Sequence, residues 1–270
     1  MHVTLTGAGG GIGRLVATRL AEAGHDVLGL DRDPDRLDAL PDTVETVRVD
    51  VRDEIAVREL LADRPIDCVI SAVGWYELGA LEDVSPAAFR RHLETNLTGV
   101  HTVVHAAMPT LRRREGRVVA LGSVAGTVAL PYHGPYSAAK AGLDGYIDAL
   151  QREVSPHGVT VSLVEPGPAR TGLNERATET LEVEDDRRRR GPYAEQYAAF
   201  DGYSPESVPP ETVAETVVEA ATTGSPRSRY RVGRRARWLP WLATVLPDPL
   251  VDRIIRSGLP GGLLGRLVDR

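Results

Sequence analysis

Val3-Thr4-Leu5-Thr6-Gly7-Ala8-Gly9-Gly10-Gly11-Ile12-Gly13 runs from β-prone residues straight into a glycine-rich turn, and Arg14 to Ala23 follows with apolar residues at helical spacing. Glycines at such a turn let the backbone leave a strand sharply and approach a pyrophosphate, whose charge is favoured by the exposed amides of a helix N-terminus. The same rhythm repeats with Asp26 to Asp31 before Pro34 to Leu40, and with Val44 to Val49 before Asp53 to Ala62. Further strands are expected near Cys68 to Ala72, Arg117 to Leu121 and Thr160 to Val164, with helices over Pro86 to Arg113 and Pro135 to Val154.

Alternation of this kind predicts an α/β fold, a Rossmann-like doubly wound parallel sheet with helices on both faces. A length of 270 residues with 42% hydrophobic content suits a single domain spanning 1–270. The net charge of -6 argues against a nucleic-acid partner. One cysteine, Cys68, sits in the apolar run Cys68-Val69-Ile70 and reads as a core residue. The apolar stretch from Trp238 to Val251 is broken by Pro240, Pro247, Asp248 and Pro249, so no transmembrane span is expected. His2 to Leu5 already reads as strand and leaves no room for a signal peptide, which makes a cytoplasmic protein the expectation.

Asp31 ends the second strand 18 residues after Gly13, about where a carboxylate meets the 2′-hydroxyl of an adenosine ribose. That carboxylate would repel the additional phosphate of NADP, so NAD is the favoured cofactor and NADP the lesser one. Arg32 follows directly and favours the phosphate, but Gly10, just before Gly11, is not basic.

The chain holds 31 arginines and a single lysine, Lys140, four residues after Tyr136 in Tyr136-Ser137-Ala138-Ala139-Lys140. Four residues on one helix place the phenol and the ammonium on one face, a turn apart. An ammonium there stabilises a phenolate, and a positive nicotinamide ring does the same, so Tyr136 is expected to have an acidic phenol able to exchange a proton with an alcohol or carbonyl.

These residues resemble the short-chain dehydrogenase/reductases, in the shorter branch of about 250 residues. The likeness runs from about residue 3 to 171 and rests on Thr6-Gly7 with Gly11 and Gly13, Asp50-Val51, Asn96-Leu97-Thr98-Gly99, Ser123, Tyr136 with Lys140, and Pro166-Gly167 followed by Thr171. Ser123 precedes Tyr136 by 13 residues, the interval usual in that family.

The resemblance implies an NAD(P)-dependent oxidoreductase with Asn96, Ser123, Tyr136 and Lys140 as catalytic residues. It further implies cofactor contacts from Thr6, Gly7, Gly11, Ile12, Gly13, Asp31, Asp50, Val51, Gly74, Tyr136, Lys140, Pro166, Gly167 and Thr171. Ser123 would orient the reacting oxygen, Lys140 would bind the nicotinamide ribose, and Asn96 would hold a helix kink and a water. A cofactor-binding core 1–171, a substrate lid 172–207, a C-terminal apolar extension 236–270 and a homodimer or homotetramer complete the expectation.

Two departures stand out. Ser71-Ala72-Val73-Gly74 replaces the family's Asn-Asn-Ala-Gly, and Ala169 replaces a larger branched residue. Gly7, Gly10 and Gly13 also meet the spacing of sugar-nucleotide epimerases, and a non-catalytic NAD-sensing protein is the other alternative.

Leu173, Leu181, Tyr193, Tyr197, Phe200 and Tyr203 in the lid point to a hydrophobic alcohol or ketone, steroid-, retinoid- or acyl-like. Trp238, Trp241, Leu250 and Ile254 in the tail, flanked by Arg253 and Arg256, allow burial against a partner or peripheral contact with a membrane. His133 reads as a turn residue. His101 and His105 share a helix face without a third ligand, and no metal is expected.

Overall fold

The computed structural model of the protein describes residues 1–168, 191–200 and 207–258. Its elements in chain order are β1 (His2–Thr6), α1 (Gly11–Glu22), β2 (Asp26–Asp31), α2 (Pro34–Leu37), β3 (Glu45–Arg48), α3 (Glu54–Leu61), β4 (Cys68–Ser71), α4 (Pro86–Leu93), α5 (Gly99–Arg113), β5 (Arg117–Leu121), α6 (Val124–Thr127) and α7 (Gly134–Val154). They continue with β6 (Thr160–Pro166), α8 (Ala194–Phe200), α9 (Pro210–Thr222), β7 (Arg229–Val232), α10 (Arg234–Val245) and α11 (Asp248–Ser257). The seven strands form one parallel sheet in the order β3-β2-β1-β4-β5-β6-β7. The order in which strands are added reverses between β1 and β4, and that switch opens a crevice beyond the carboxyl ends of the strands.

Alternate residues of each strand feed opposite faces of the sheet. Val3, Leu5, Cys68 and Ile70 pack with Val16, Ala17 and Leu20 of α1 and Val213, Ala214 and Val217 of α9. Val69, Val118, Ala120, Val161 and Leu163 pack on the other face with Val57 and Leu61 of α3, Val103, Val104 and Ala107 of α5, and Leu143, Ile147 and Leu150 of α7. With both faces covered, strands such as β4 are buried throughout and lose any polar alternation.

Three local readings are corrected. The helix expected over Pro86 to Arg113 contains a π-helical turn, Glu94–Thr98, between α4 and α5, and Asn96 lies inside it. The helix opened by Pro34 stops at Leu37 and not Leu40, with Asp38 as its cap; Pro41 disfavours helical backbone at Leu40 itself. Neither α9 nor β7 was read from the sequence. In β7, Arg229 and Arg231 share one face while Tyr230 and Val232 are buried on the other, so its charge hides an ordinary alternation.

Two glycines show how tightly the first turn is closed. Gly7 has φ +71°, and a Cβ there would lie 2.8 Å from the Ala72 carbonyl; a Cβ on Gly13 would lie 2.0 Å from the Gly7 oxygen. Gly145 on α7 has open space around it. Gly145→Ala is therefore expected to stabilise the fold by about 0.5–1 kcal/mol. Gly13→Ala should reverse that sign and cost about 1–3 kcal/mol through overpacking. Denaturant unfolding of the two variants checks this, and equal stabilisation by both would contradict the packing described.

Candidate active site

The crevice is built from strand ends. At its first end the β1–α1 turn carries Gly7, Gly11, Ile12 and Gly13, with the Gly10 amide donating to the Gly7 carbonyl at 3.0 Å. Thr6 itself is fully buried, its hydroxyl donating to Ser71 at 3.4 Å, so it ties β1 to β4 and leaves the turn to do the cradling. The Ala72 amide donates to the Thr6 carbonyl, and the backbone of Ala72 and Val73 lies where any side chain on Gly7 would go. The missing side chain of Gly7 thus lets the two loops close on each other, and Gly74 follows in the same loop.

Asp31 stands at the end of β2 with its carboxylate accepting from the Gly9 amide at 3.1 Å and the Asp33 amide at 3.2 Å. It is thereby joined to the glycine turn. Asp50 lies beyond β3, where Arg52 donates to both its oxygens and holds its carboxyl below the usual range. Arg32, Arg48, Asp50 and Asp53 line a cavity of about 610 Å³ at this end. Val51 is buried, and it fills the space above Gly99 where a Cβ would meet it at 2.6 Å.

At the other end β5 leads to Ser123, which takes extended backbone and caps α6 by accepting from the Ala125 amide at 3.2 Å. Tyr136 and Lys140 lie one turn apart on α7. The Lys140 side chain is only 3% exposed; its Nζ donates to the Leu121 carbonyl at 2.7 Å and stands 5.8 Å from the centre of the Tyr136 ring. Burial lowers its ammonium to about 8, against the pull of the Asp144 carboxylate.

The acidic phenol expected from the sequence is not what the protein's own groups produce. Burial pushes Tyr136 up to about 12, and a hydrogen bond with Ser123 works in the opposite direction. The lysine is itself desolvated and committed to the Leu121 carbonyl, so a phenolate gains little from it.

Asn96 does more than kink a helix. Its Oδ1 accepts from the Trp75 amide at 3.0 Å, and its Nδ2 donates to the carbonyls of Trp75 at 2.8 Å and His92 at 3.0 Å. His92, one turn earlier and 1% exposed, accepts the Glu77 amide at Nε2 and bonds the Ala88 carbonyl through Nδ1. The two side chains hold the loop after β4 in place. Burial lowers the His92 pKa, which keeps the acceptor nitrogen free of a proton. The sequence reading missed His92; its spacing of four from Asn96 was the available signal.

That held loop carries Tyr76, whose ring centre lies 4.8 Å from Tyr136 and 5.5 Å from His133. Tyr76, Leu78 and Phe200 form a small apolar cluster with Tyr132 and Tyr136 against it. From α8, Tyr197 donates to Asp83 at 2.6 Å and accepts from the Ala80 amide at 2.9 Å. Pro166 and Gly167 close the wall at the end of β6, with the Gly167 amide on the Val232 carbonyl. Thr171, Leu173, Leu181 and Tyr203 lie outside the described residues, as does the charged segment 182–190. His101 and His105 lie in the first two turns of α5, where His101 packs edge-on against Tyr146.

A family model for short chain dehydrogenases matches residues 1–182. The chain belongs to the short-chain dehydrogenase family. It is 32% identical over 268 residues to the human 17-beta-hydroxysteroid dehydrogenase type 1, covering 92% of this chain and 81% of that protein. It is 34% identical over 182 residues to the 3-ketodihydrosphingosine reductase of Bacteroides thetaiotaomicron, covering 64% and 65% of the two chains. A Burkholderia cenocepacia short chain dehydrogenase, solved in complex with NADP, superposes with a TM-score of 0.78 at 22% identity over 94% of this chain and 96% of that one.

Beneath the tyrosine and lysine of this short-chain dehydrogenase lies a buried charge cluster that the sequence did not reveal. Glu165, 1% exposed, pairs with Arg229 at 2.8 Å and Arg231 at 3.4 Å and accepts from Thr127 at 3.0 Å. Asp144 shares Arg229 at 3.4 Å, while Asp148 takes the other nitrogen of that guanidinium at 3.1 Å. The second Asp144 oxygen is buried with no hydrogen-bond partner among the described residues. Burial first, and the charge of Glu165 second, raise the Asp144 carboxyl from 3.8 to about 6.

A carboxyl raised on folding favours the protonated fold, so its contribution to stability is full below about pH 4 and is lost as pH rises through about 6. The stability of the wild type minus that of Asp144→Asn is therefore expected to fall by roughly 2 kcal/mol from pH 4 to pH 7. Urea unfolding across that range measures it, and a difference that does not vary with pH would contradict the raised carboxyl.

Proposed function

We propose that the protein transfers hydride between a nicotinamide dinucleotide and a secondary alcohol or ketone of hydrophobic character. The observation that carries this reading is the convergence of the Tyr136 phenol, the Ser123 hydroxyl and the Lys140 amine at the end of β5, beside an aromatic wall. The glycine turn, where a Cβ on Gly7 or Gly13 would collide with backbone, fits the close approach of a pyrophosphate. Asp31 suits an adenosine ribose, and Lys140 suits the second ribose. When bound, the dinucleotide supplies or accepts the hydride and, in its oxidised form, adds a positive charge near Tyr136.

The protein's own groups then divide the work. Ser123, in hydrogen-bonding reach of the phenol, orients and polarises the substrate oxygen. Tyr136 keeps its proton throughout the neutral range, so it is ready to donate that proton to a carbonyl oxygen as hydride arrives at carbon. Alcohol oxidation runs the same atoms in reverse and starts from the phenolate, which the positive charge of an oxidised dinucleotide would favour; the phenolate oxygen then receives the hydroxyl proton. Asn96 and His92 act at one remove by fixing the loop that brings Tyr76 to the reacting centre. Tyr76, Leu78, Phe200 and Tyr132 leave an apolar surface beside Tyr136, which favours a ring system or acyl chain. Names of two relatives, a hydroxysteroid dehydrogenase and a ketosphingosine reductase, agree with a substrate of that character.

Tyr136→Phe is expected to bind the dinucleotide as the wild type does and to lose turnover by at least about a hundredfold, the usual weight of a general acid. Nicotinamide absorbance with a panel of secondary alcohols and ketones tests it, and comparable rates would remove Tyr136 from the mechanism.

NAD is the preferred dinucleotide in this reading because Asp31 would face the 2′ position. One observation favours NADP as a second reading: Arg32 and Arg48 both line the cavity at that end, with Arg32 poised over the Trp75 ring at 5.0 Å. Asp31→Ala is expected to weaken NAD more than NADP, and Arg32→Ala to weaken NADP more than NAD. Binding of both dinucleotides by calorimetry decides between them, and a larger loss of NADP than of NAD in Asp31→Ala would contradict the preference.

A further inference from the structure

Among the described residues, the last two helices present Trp238, Trp241, Val245 and Leu250 as exposed apolar side chains. On α10, Ala236 and Pro240 turn inward while Trp238, Trp241 and Val245, spaced i, i+3 and i+7 along one stripe, are 41%, 60% and 58% exposed. On α11 no residue is buried, although Leu250, Val251, Ile254 and Ile255 lie along one side of the helix and Asp252, Arg253 and Arg256 along the other. Two exposed tryptophans on one stripe are an unusual load for a surface left in water.

Charge identifies what covers it. Residues 234–258 hold five arginines, Arg234, Arg235, Arg237, Arg253 and Arg256, against Asp248 and Asp252, a net +3 in a chain whose total is -6. Among the described residues, no ion pair engages Arg234, Arg235, Arg237 or Arg253. Tryptophan, with an apolar ring and a polar N–H, suits the boundary between headgroups and acyl chains, and arginine suits an anionic headgroup layer. An amphipathic helix of this make-up lies in the plane of an interface.

We propose that α10 and α11 dock the protein on an anionic lipid surface, with Trp238, Trp241, Val245 and Leu250 entering the headgroup boundary and the arginines meeting lipid phosphates. The placement has a consequence for the active site. α10 begins against Gly167, where a Cβ would meet the Ala236 amide and the Arg235 side chain at 3.7 and 3.8 Å, and it packs on α6, the helix that Ser123 caps. Docking through this hairpin therefore sets the nicotinamide end of the crevice near the lipid. Delivery of an apolar substrate from the bilayer rests on the oxidoreductase reading; docking itself does not.

Flotation of the full-length protein with phosphatidylcholine vesicles, with and without phosphatidylglycerol and without any substrate, tests the docking separately from turnover. The wild type is expected to float with the anionic vesicles and not with phosphatidylcholine alone, and to be released by high salt. Trp238→Ser/Trp241→Ser should lower the bound fraction about tenfold while leaving turnover of a water-soluble alcohol unchanged. Arg253→Glu/Arg256→Glu, placed on a helix without a buried residue, gives the same reading if the tryptophan variant folds poorly. Absence of flotation, equal flotation with both vesicles, or undiminished binding by the charge-reversed protein would overturn the proposal. So would light scattering that shows the tryptophans closing a dimer while no vesicle binding occurs.

Discussion

The site depends on keeping one amine out of water. A buried ammonium is costly unless hydrogen bonds and opposing charge replace its hydration. Lys140 finds a carbonyl, that of Leu121 at the end of β5, and the carboxylate of Asp144 one turn further along its own helix. Because α7 is long and packed through Leu143, Ile147 and Leu150, the lysine's position is set by the core and not by its own flexible stem. Tyr136 inherits that position, and Ser123 meets it from the strand end next door. A phenol placed this way remains protonated until some further positive charge arrives, which suits a proton donor in carbonyl reduction.

Two other constraints support that centre from either side. Toward the dinucleotide end, Gly7 and Gly13 let β1, α1 and the loop after β4 approach to backbone contact. On the substrate side, Asn96 sits in a π-helical turn that widens the helix and aims its amide across to Trp75. π-helical turns of one extra residue are commonly found at functional positions. Here the extra residue places Asn96 and His92 where both reach the loop that carries Tyr76.

Most of the sheet was legible because parallel strands covered on both faces leave unbroken apolar runs, and because Pro34 marks a helix start at a local, recognisable point. The glycine turn, Asp31, Ser123, Tyr136 and Lys140 were legible for a similar reason: each depends on spacing within one element or on the end of a strand. What stayed hidden depends on contacts between distant segments. Glu165 becomes a buried carboxylate only because β7 pairs beside β6 and brings Arg229 and Arg231 to it. The sequence reading weighed the ammonium and the nicotinamide charge beside Tyr136, whereas the burial that raises the phenol in the protein alone depends on packing that no local motif announces. His92 carried only its spacing of four from Asn96 as a signal, and a histidine one turn from an asparagine is ordinary until a loop is seen folded across the pair.

A direct measurement is open because Lys140 is the chain's one lysine. Protein labelled with carbon-13 at lysine Cε gives a single ammonium resonance, and its titration reports the charge on which the site is built. The account predicts a midpoint near 8, well below the 10.5 of an exposed lysine. A midpoint at the exposed value would mean that the amine is solvated and not held against Leu121 beside Tyr136, and the account of the active site would fail.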